Sequence, residues 1–133
     1  MDLVILLPEH KEIILEFCKR RLAERERDPM EREIKSWSAR WRAEALEHYL
    51  KLGWSYGAFV QGQLKGIVLG QPFVFHRGLT QTLWLEHLEG ESEEIKAALL
   101  DCASRWARDK HFQCVLMETE TGELREIKTA RYQ

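Results

Sequence analysis

The chain has 133 residues, enough for one domain around one core. Apolar residues make up 44% of it, and five Trp, five Phe and three Tyr supply large groups to bury, which excludes intrinsic disorder. Twenty basic residues against 22 acidic ones leave a net charge of −2, which disfavours a globally basic nucleic-acid binder.

Leu3 to Leu7 is an apolar run that suits a first strand, stopped by Pro8. It is too short for a signal peptide or a membrane span, so no membrane association is expected. A first helix follows, with Ile13, Ile14, Phe17, Cys18 and Leu22 at helical spacing. It turns polar through Arg25-Glu26-Arg27, and Asp28-Pro29 breaks it. A second helix is predicted from about Met30 to Leu52, with Ile34, Trp37, Trp41, Ala45, Tyr49 and Leu52 as its apolar stripe and Gly53 as its stop. Acids and bases alternate between Lys19 and Glu47, the pattern of a solvated face with i,i+4 pairs.

From Trp54 the period changes. Tyr56–Val60 and Leu64–Leu69 read as an antiparallel hairpin around Gln61-Gly62-Gln63. Pro72 bends or ends the second of these strands, or Phe73-Val74-Phe75 prolongs it past a bulge. After an Arg77-Gly78 turn, Thr80 to Leu88 is another strand. Ser92 is a good N-cap for a helix reaching Lys110, with Ile95, Leu99, Cys102 and Trp106 on one face. Phe112 to Met117 is a strand, and Glu123 to Tyr132 forms a short last helix. The order is β-α-α-β-β-β-α-β-α. It describes an α/β (α+β) domain spanning 1–133, with a mixed, mainly antiparallel sheet flanked by helices. The strand–helix–strand crossover makes one pair parallel.

Cys18, Cys102 and Cys114 show neither zinc nor redox spacing, so they are read as reduced thiols of a cytoplasmic protein. No metal site is expected, because no HxxH or HExxH pattern accompanies the five histidines. Nucleic-acid binding has only Lys19-Arg20-Arg21 in its favour, and Glu24, Glu26 and Asp28 neutralise it.

This order resembles the GNAT superfamily, the Gcn5-related N-acetyltransferases, over nearly the whole chain. Pro8-Glu9-His10-Lys11-Glu12 sits at the family's passage from first strand to first helix. Phe59 to Gly66 is similar to its second and third strands, Thr82 to Leu88 to its fourth, and Leu99-Leu100 to the paired leucines of the next helix. The resemblance implies an acetyl-CoA or CoA cofactor in a cleft where the fourth and fifth strands separate. It implies that Leu88, Ser92, Glu93, Glu94, Ile95 and Lys96 hold that cofactor, with backbone N–H groups at the helix start on its pyrophosphate. It also implies Glu86 as general base for an amine and Tyr132 as general acid.

Two departures from the family set the functional expectation. Glu91 falls at the basic position of the pyrophosphate loop, and Glu94 and Lys96 at its two small positions. Glu86 to Glu94 holds five carboxylates and no Lys or Arg, so charge repulsion is expected to weaken or abolish CoA binding. The chain also ends soon after Arg125, which leaves Phe112–Met117 as an exposed edge and points to a homodimer. No cofactor is therefore certain. The expected function is a non-catalytic or protein-interaction scaffold. The alternative is an active N-acyltransferase moving an acyl group from CoA to a small amine.

Among the remaining candidates, Glu86 and His87 are adjacent in a strand, so only one is expected to face a given cleft. Trp37, Trp41 and Tyr49 are read as core, or else as one wall of an acceptor site.

Overall fold

The computed structural model describes residues 1–74, 81–118 and 123–126. In chain order the elements are β1 (Asp2–Ile5), a 3-10 turn (Pro8–His10), α1 (Lys11–Arg25), α2 (Pro29–Trp37), α3 (Ala43–Leu52), β2 (Tyr56–Val60) and β3 (Gln63–Val74). They continue with β4 (Gln81–Gly90), α4 (Glu93–Asp109), β5 (Cys114–Glu118) and β6 (Leu124–Glu126). The six strands lie side by side in sequence order. Every pairing is antiparallel except β4 with β5, which α4 joins as a crossover.

Local chemistry explains most of these elements. Gln61 and Gly62 both take positive φ, 51° and 78°, the geometry of a tight two-residue hairpin turn. Gly53, at φ 76°, closes α3 in the left-handed conformation. Asp28 caps α2 by accepting from the Met30 N–H at 3.1 Å, and Ser92 caps α4 by accepting from the Ile95 N–H at 3.2 Å.

The expected long second helix is two helices. Ser36 Oγ donates to the Glu33 carbonyl at 2.7 Å, a side-chain bond that competes with continued helix. The chain then turns through 38–42 and buries Trp41 at 5% exposure, while Trp37 stays 66% exposed. One straight helix would have put both rings on one face. The expected last helix begins instead as β6, which pairs with β5, so β5 is not an open edge. The buried face of α4 is also rotated from the expected one: Leu99, Ala103 and Ala107 are buried and Trp106 is 39% exposed.

The core has two halves, one on each face of the sheet. Helices α1 and α3 cover Leu6, Leu64, Ile67 and Leu69, and α4 covers Tyr56, Ala58, Val68, Leu83 and Leu85.

Candidate functional site

Two irregularities in β4 create the site. In the ladder with β3, Leu69 faces His87 and Gly70 faces Leu85, so Glu86 is an extra residue, a β-bulge. The parallel ladder with β5 runs only from Thr82 to Leu85, opposite Cys114 to Met117, whereas β4 itself continues to Gly90. Beyond Leu85 a cleft of about 820 Å³ opens, lined by β4, the ends of β5 and β6, the C-terminal half of α1, Arg40 and Lys96. Both Glu86 and His87 line it. The bulge breaks the alternation that would have sent them to opposite faces, and the expectation that only one could face the cleft is corrected.

Glu86 is buried, and both its oxygens are occupied. Gln71 Nε2 donates to Oε1, and Arg40 Nη1 lies 3.3 Å from Oε2. Gln71 is in turn held by His48, 2.9 Å away. Burial pushes the Tyr49 hydroxyl above its ordinary value, and the Glu86 charge and a hydrogen bond to Glu86 add to this. Arg40 also reaches Glu118 at 3.1 Å, so one guanidinium ties the bulge of β4 to the end of β5. A carboxylate has about four lone-pair sites, so an amine approaching Glu86 would share it with Arg40 and Gln71.

Three other acids of this region, Glu89, Glu91 and Glu93, are paired too. Glu89, its side chain 7% exposed, lies 2.5 Å from Arg25 Nη1 and 3.3 Å from Arg21 Nε. Arg21 Nη2 also donates to the Gly90 carbonyl at 3.2 Å. Glu91 accepts from Arg20 at 2.8 Å, which holds its carboxyl below the usual range, and Lys65 stands 3.6 Å away. Glu93 has Lys96 at 3.4 Å. The carboxylate cluster is therefore not the uncompensated charge expected from the local sequence. Arg20, Arg21 and Arg25 arrive from α1, 64 to 71 positions earlier in the chain, and Arg40, Lys65 and Lys96 supply the rest.

His87 is neutral near pH 7, because burial pushes its imidazole down to about 4. Its Nε2 has no hydrogen-bond partner among the described residues. Cys18, Cys102 and Cys114 are free thiols, all pushed up in pKa by burial, which suppresses thiolate chemistry. Among the described residues no group of three His, Cys, Asp or Glu side chains is arranged to hold a metal ion. No helix among them is long and apolar enough to cross a membrane.

Of the residues expected to hold a cofactor, Leu88 and Lys96 line the cleft and Ser92, Glu93, Glu94 and Ile95 do not. Tyr132 lies outside the described residues. The start of α4 is a tight junction. Only Glu91 and Ser92 separate β4 from α4. Three N–H groups there are already used: Glu91 donates to the Lys65 carbonyl at 3.0 Å, Ile95 to Ser92 Oγ at 3.2 Å and Lys96 to the Ser92 carbonyl at 3.2 Å. The helix start is also pressed onto the sheet. A Cβ added at Gly66 would meet Ile95 Cγ2 at 2.5 Å, and one at Gly90 would meet Lys96 Cγ at 3.0 Å.

Sequence reasoning missed Arg21, Arg25, Arg40 and Gln71. The i,i+4 spacing of Arg21 and Arg25 was the available signal for the first two, since it puts both on one face of α1.

No family model and no curated protein matches the chain. Solved structures do. PaiA N-acetyltransferase from Thermoplasma acidophilum, in complex with coenzyme A, superposes with a TM-score of 0.69 at 14% identity, over 92% of this chain and 81% of its own. TTHA1254 from Thermus thermophilus gives 0.66 at 17% identity, over 91% and 78%. A ribosomal-protein-alanine N-acetyltransferase from Brucella melitensis biovar Abortus 2308 gives 0.63 at 16%, over 90% and 80%. The chain has the fold of the GNAT acetyltransferases.

Proposed function

We propose that this GNAT-like domain has lost or weakened acyl-CoA binding and serves as a non-catalytic, protein-interaction scaffold. The observation that carries this reading is the tight junction of β4 and α4. Strand β4 extends to Gly90, Ile95 packs onto Gly66, and the N–H groups of Glu91, Ile95 and Lys96 that could meet a pyrophosphate are already bonded within the chain. The state of Glu86 agrees with it, since Arg40 and Gln71 already use the carboxylate that would serve as base.

A second reading rests on a different observation. The cleft carries Arg21, Arg25, Arg40, Lys96 and Arg125 against Glu86, Glu89 and Glu118, an excess of positive charge that favours an anionic ligand. Under that reading the domain is an N-acyltransferase moving an acyl group from CoA to a small amine. Glu86 would then take the amine proton.

Calorimetric titration with acetyl-CoA, together with thiol release in the presence of simple amines, separates the two. The scaffold reading expects no heat of binding at millimolar acetyl-CoA and no thiol release. Saturable binding with amine-dependent thiol release that Glu86→Gln abolishes would establish the second reading.

A further inference from the structure

Helix α2 is amphipathic, yet it buries none of its residues. Met30, Ile34 and Trp37 stand at i, i+4 and i+7 on one face, 71%, 44% and 66% exposed. The sequence placed Ile34 and Trp37 in the core stripe, and the turn at 38–42 removed them from it. A nine-residue helix is shorter than the ~12–15 residues at which isolated helices become stable in water, so its fold depends on packing. Among the described residues nothing covers its apolar face.

We infer that this face is a self-association surface, on which α2 of a second copy of this chain packs antiparallel about a two-fold axis near Ile34. The stripe is self-complementary in that arrangement: Ile34 meets its own copy, and Met30 of one chain meets Trp37 of the other. Charge selects the antiparallel sense. Glu31 and Lys35, four residues apart, share one flank of the stripe. A two-fold axis between antiparallel helices keeps like flanks together and reverses their direction, so Glu31 of each chain lies beside Lys35 of the other. Lys35 is 55% exposed and its present partner, Glu26 at 2.8 Å, leaves two of its three donors for a second carboxylate. On the opposite flank Glu33 accepts from Trp37 Nε1 at 3.3 Å, which holds the indole beside the stripe. Antiparallel macrodipoles are also mutually favourable. Three side chains make a patch well below the ~800 Å² per partner of a standard interface, so the dimer is a weak one. The inference is independent of what the cleft binds.

Sedimentation equilibrium of the full chain from about 1 to about 500 μM is the test. The expected result is a reversible monomer–dimer equilibrium. Ile34→Glu, Glu31→Lys and Lys35→Glu should each weaken it at least tenfold, and the double variant Glu31→Lys/Lys35→Glu should recover most of the loss. Because α2 buries nothing, Ile34→Glu and Glu31→Lys should keep the far-UV circular dichroism and melting temperature of the parent monomer, so lost association is not lost folding; the Lys35 variants also lose the exposed pair with Glu26, and their unchanged far-UV circular dichroism is the check that they fold. A monomer at every concentration overturns the inference. So does a dimer that Ile34→Glu leaves intact, which would put the contact elsewhere, for example on the open edge of β1. A monomer whose Trp37 fluorescence shifts to the blue on phosphatidylcholine vesicles would assign the face to a lipid surface and overturn it too.

Discussion

Substituting Glu89 by Gln tests whether the ion pairs of the cleft hold the fold together. Glu89 joins the end of β4 to α1 through Arg21 at 3.3 Å and Arg25 at 2.5 Å. Two unit charges about 4 Å apart attract by ~4 kcal/mol at an effective dielectric near 20. That is an upper bound, since the Arg25 side chain is 49% exposed and that of Arg21 21%. Exposed pairs contribute ~0–1 kcal/mol, and breaking a fully buried pair costs ~3–5 kcal/mol. This pair lies between the two, and the amide retains one acceptor, so the expected loss is ~2 kcal/mol. For 133 residues at roughly 2.1 cal/mol/K each, the unfolding entropy is ~0.28 kcal/mol/K, which converts the loss into ~7 °C of melting temperature. Urea unfolding followed by tryptophan fluorescence gives the free energy, and calorimetry gives the melting temperature. Glu91→Gln is the control. The Glu91 side chain is more exposed than that of Glu89, 27% against 7%, its Arg20 partner is 46% exposed, and the expected loss is below ~1 kcal/mol. A Glu89→Gln variant as stable as the parent, or more stable, would refute the reasoning. It would mean that the carboxylates of β4 repel one another despite their arginines.

Other substitutions follow from the same structure. Leu99→Ala, at a fully buried position, should cost ~3 kcal/mol in urea unfolding. Gly66→Ala should cost ~1–3 kcal/mol, because Ile95 must move out of the way of the new methyl group. His87 gives a pH dependence. Its folded pKa of about 4 lies below its ordinary value, so the unfolded chain binds more protons between roughly pH 6.5 and pH 4. Its contribution is therefore complete above pH 6.5 and is lost as pH falls towards 4. Stability measured across that window should drop by up to ~3 kcal/mol in the parent, and His87→Leu should flatten the slope. Burial raises the Cys18 thiol, so it should escape alkylation in the native protein at pH 8 and react on unfolding, as mass spectrometry of labelled peptides would show.

Much of the fold was legible because its signals are local. Gly62 marked the hairpin, Ser92 the start of α4 and Gly53 the end of α3, and each acts through its own backbone or cap. The strand order followed from short connections and the one crossover. What stayed hidden depends on distant partners. The break after Trp37 leaves that ring exposed and buries Trp41, and periodicity cannot show which ring is taken. The bulge at Glu86 is a property of the register between β3 and β4, and Leu85-Glu86-His87 contains no Gly or Pro to announce it. It brings Glu86 and His87 into one cleft against the alternation rule. The charge balance was misjudged for the same reason. Glu86 to Glu94 is acidic as a string, and its counter-charges come from Arg20, Arg21, Arg25, Arg40 and Lys65. The expectation of poor CoA binding therefore now rests on the occupied N–H groups at the start of α4 rather than on repulsion.

If the occupied N–H groups at the junction of β4 and α4 no longer hold the pyrophosphate of CoA, acetyl-CoA does not stabilise the fold. The most direct measurement is the melting temperature of the purified protein titrated with acetyl-CoA to millimolar concentration at constant ionic strength. No shift is expected, in the parent and equally in Glu89→Gln, whose cleft has one negative charge fewer. A dose-dependent rise of several degrees would contradict it, since a ligand at ~100 times its Kd adds close to ~2.7 kcal/mol.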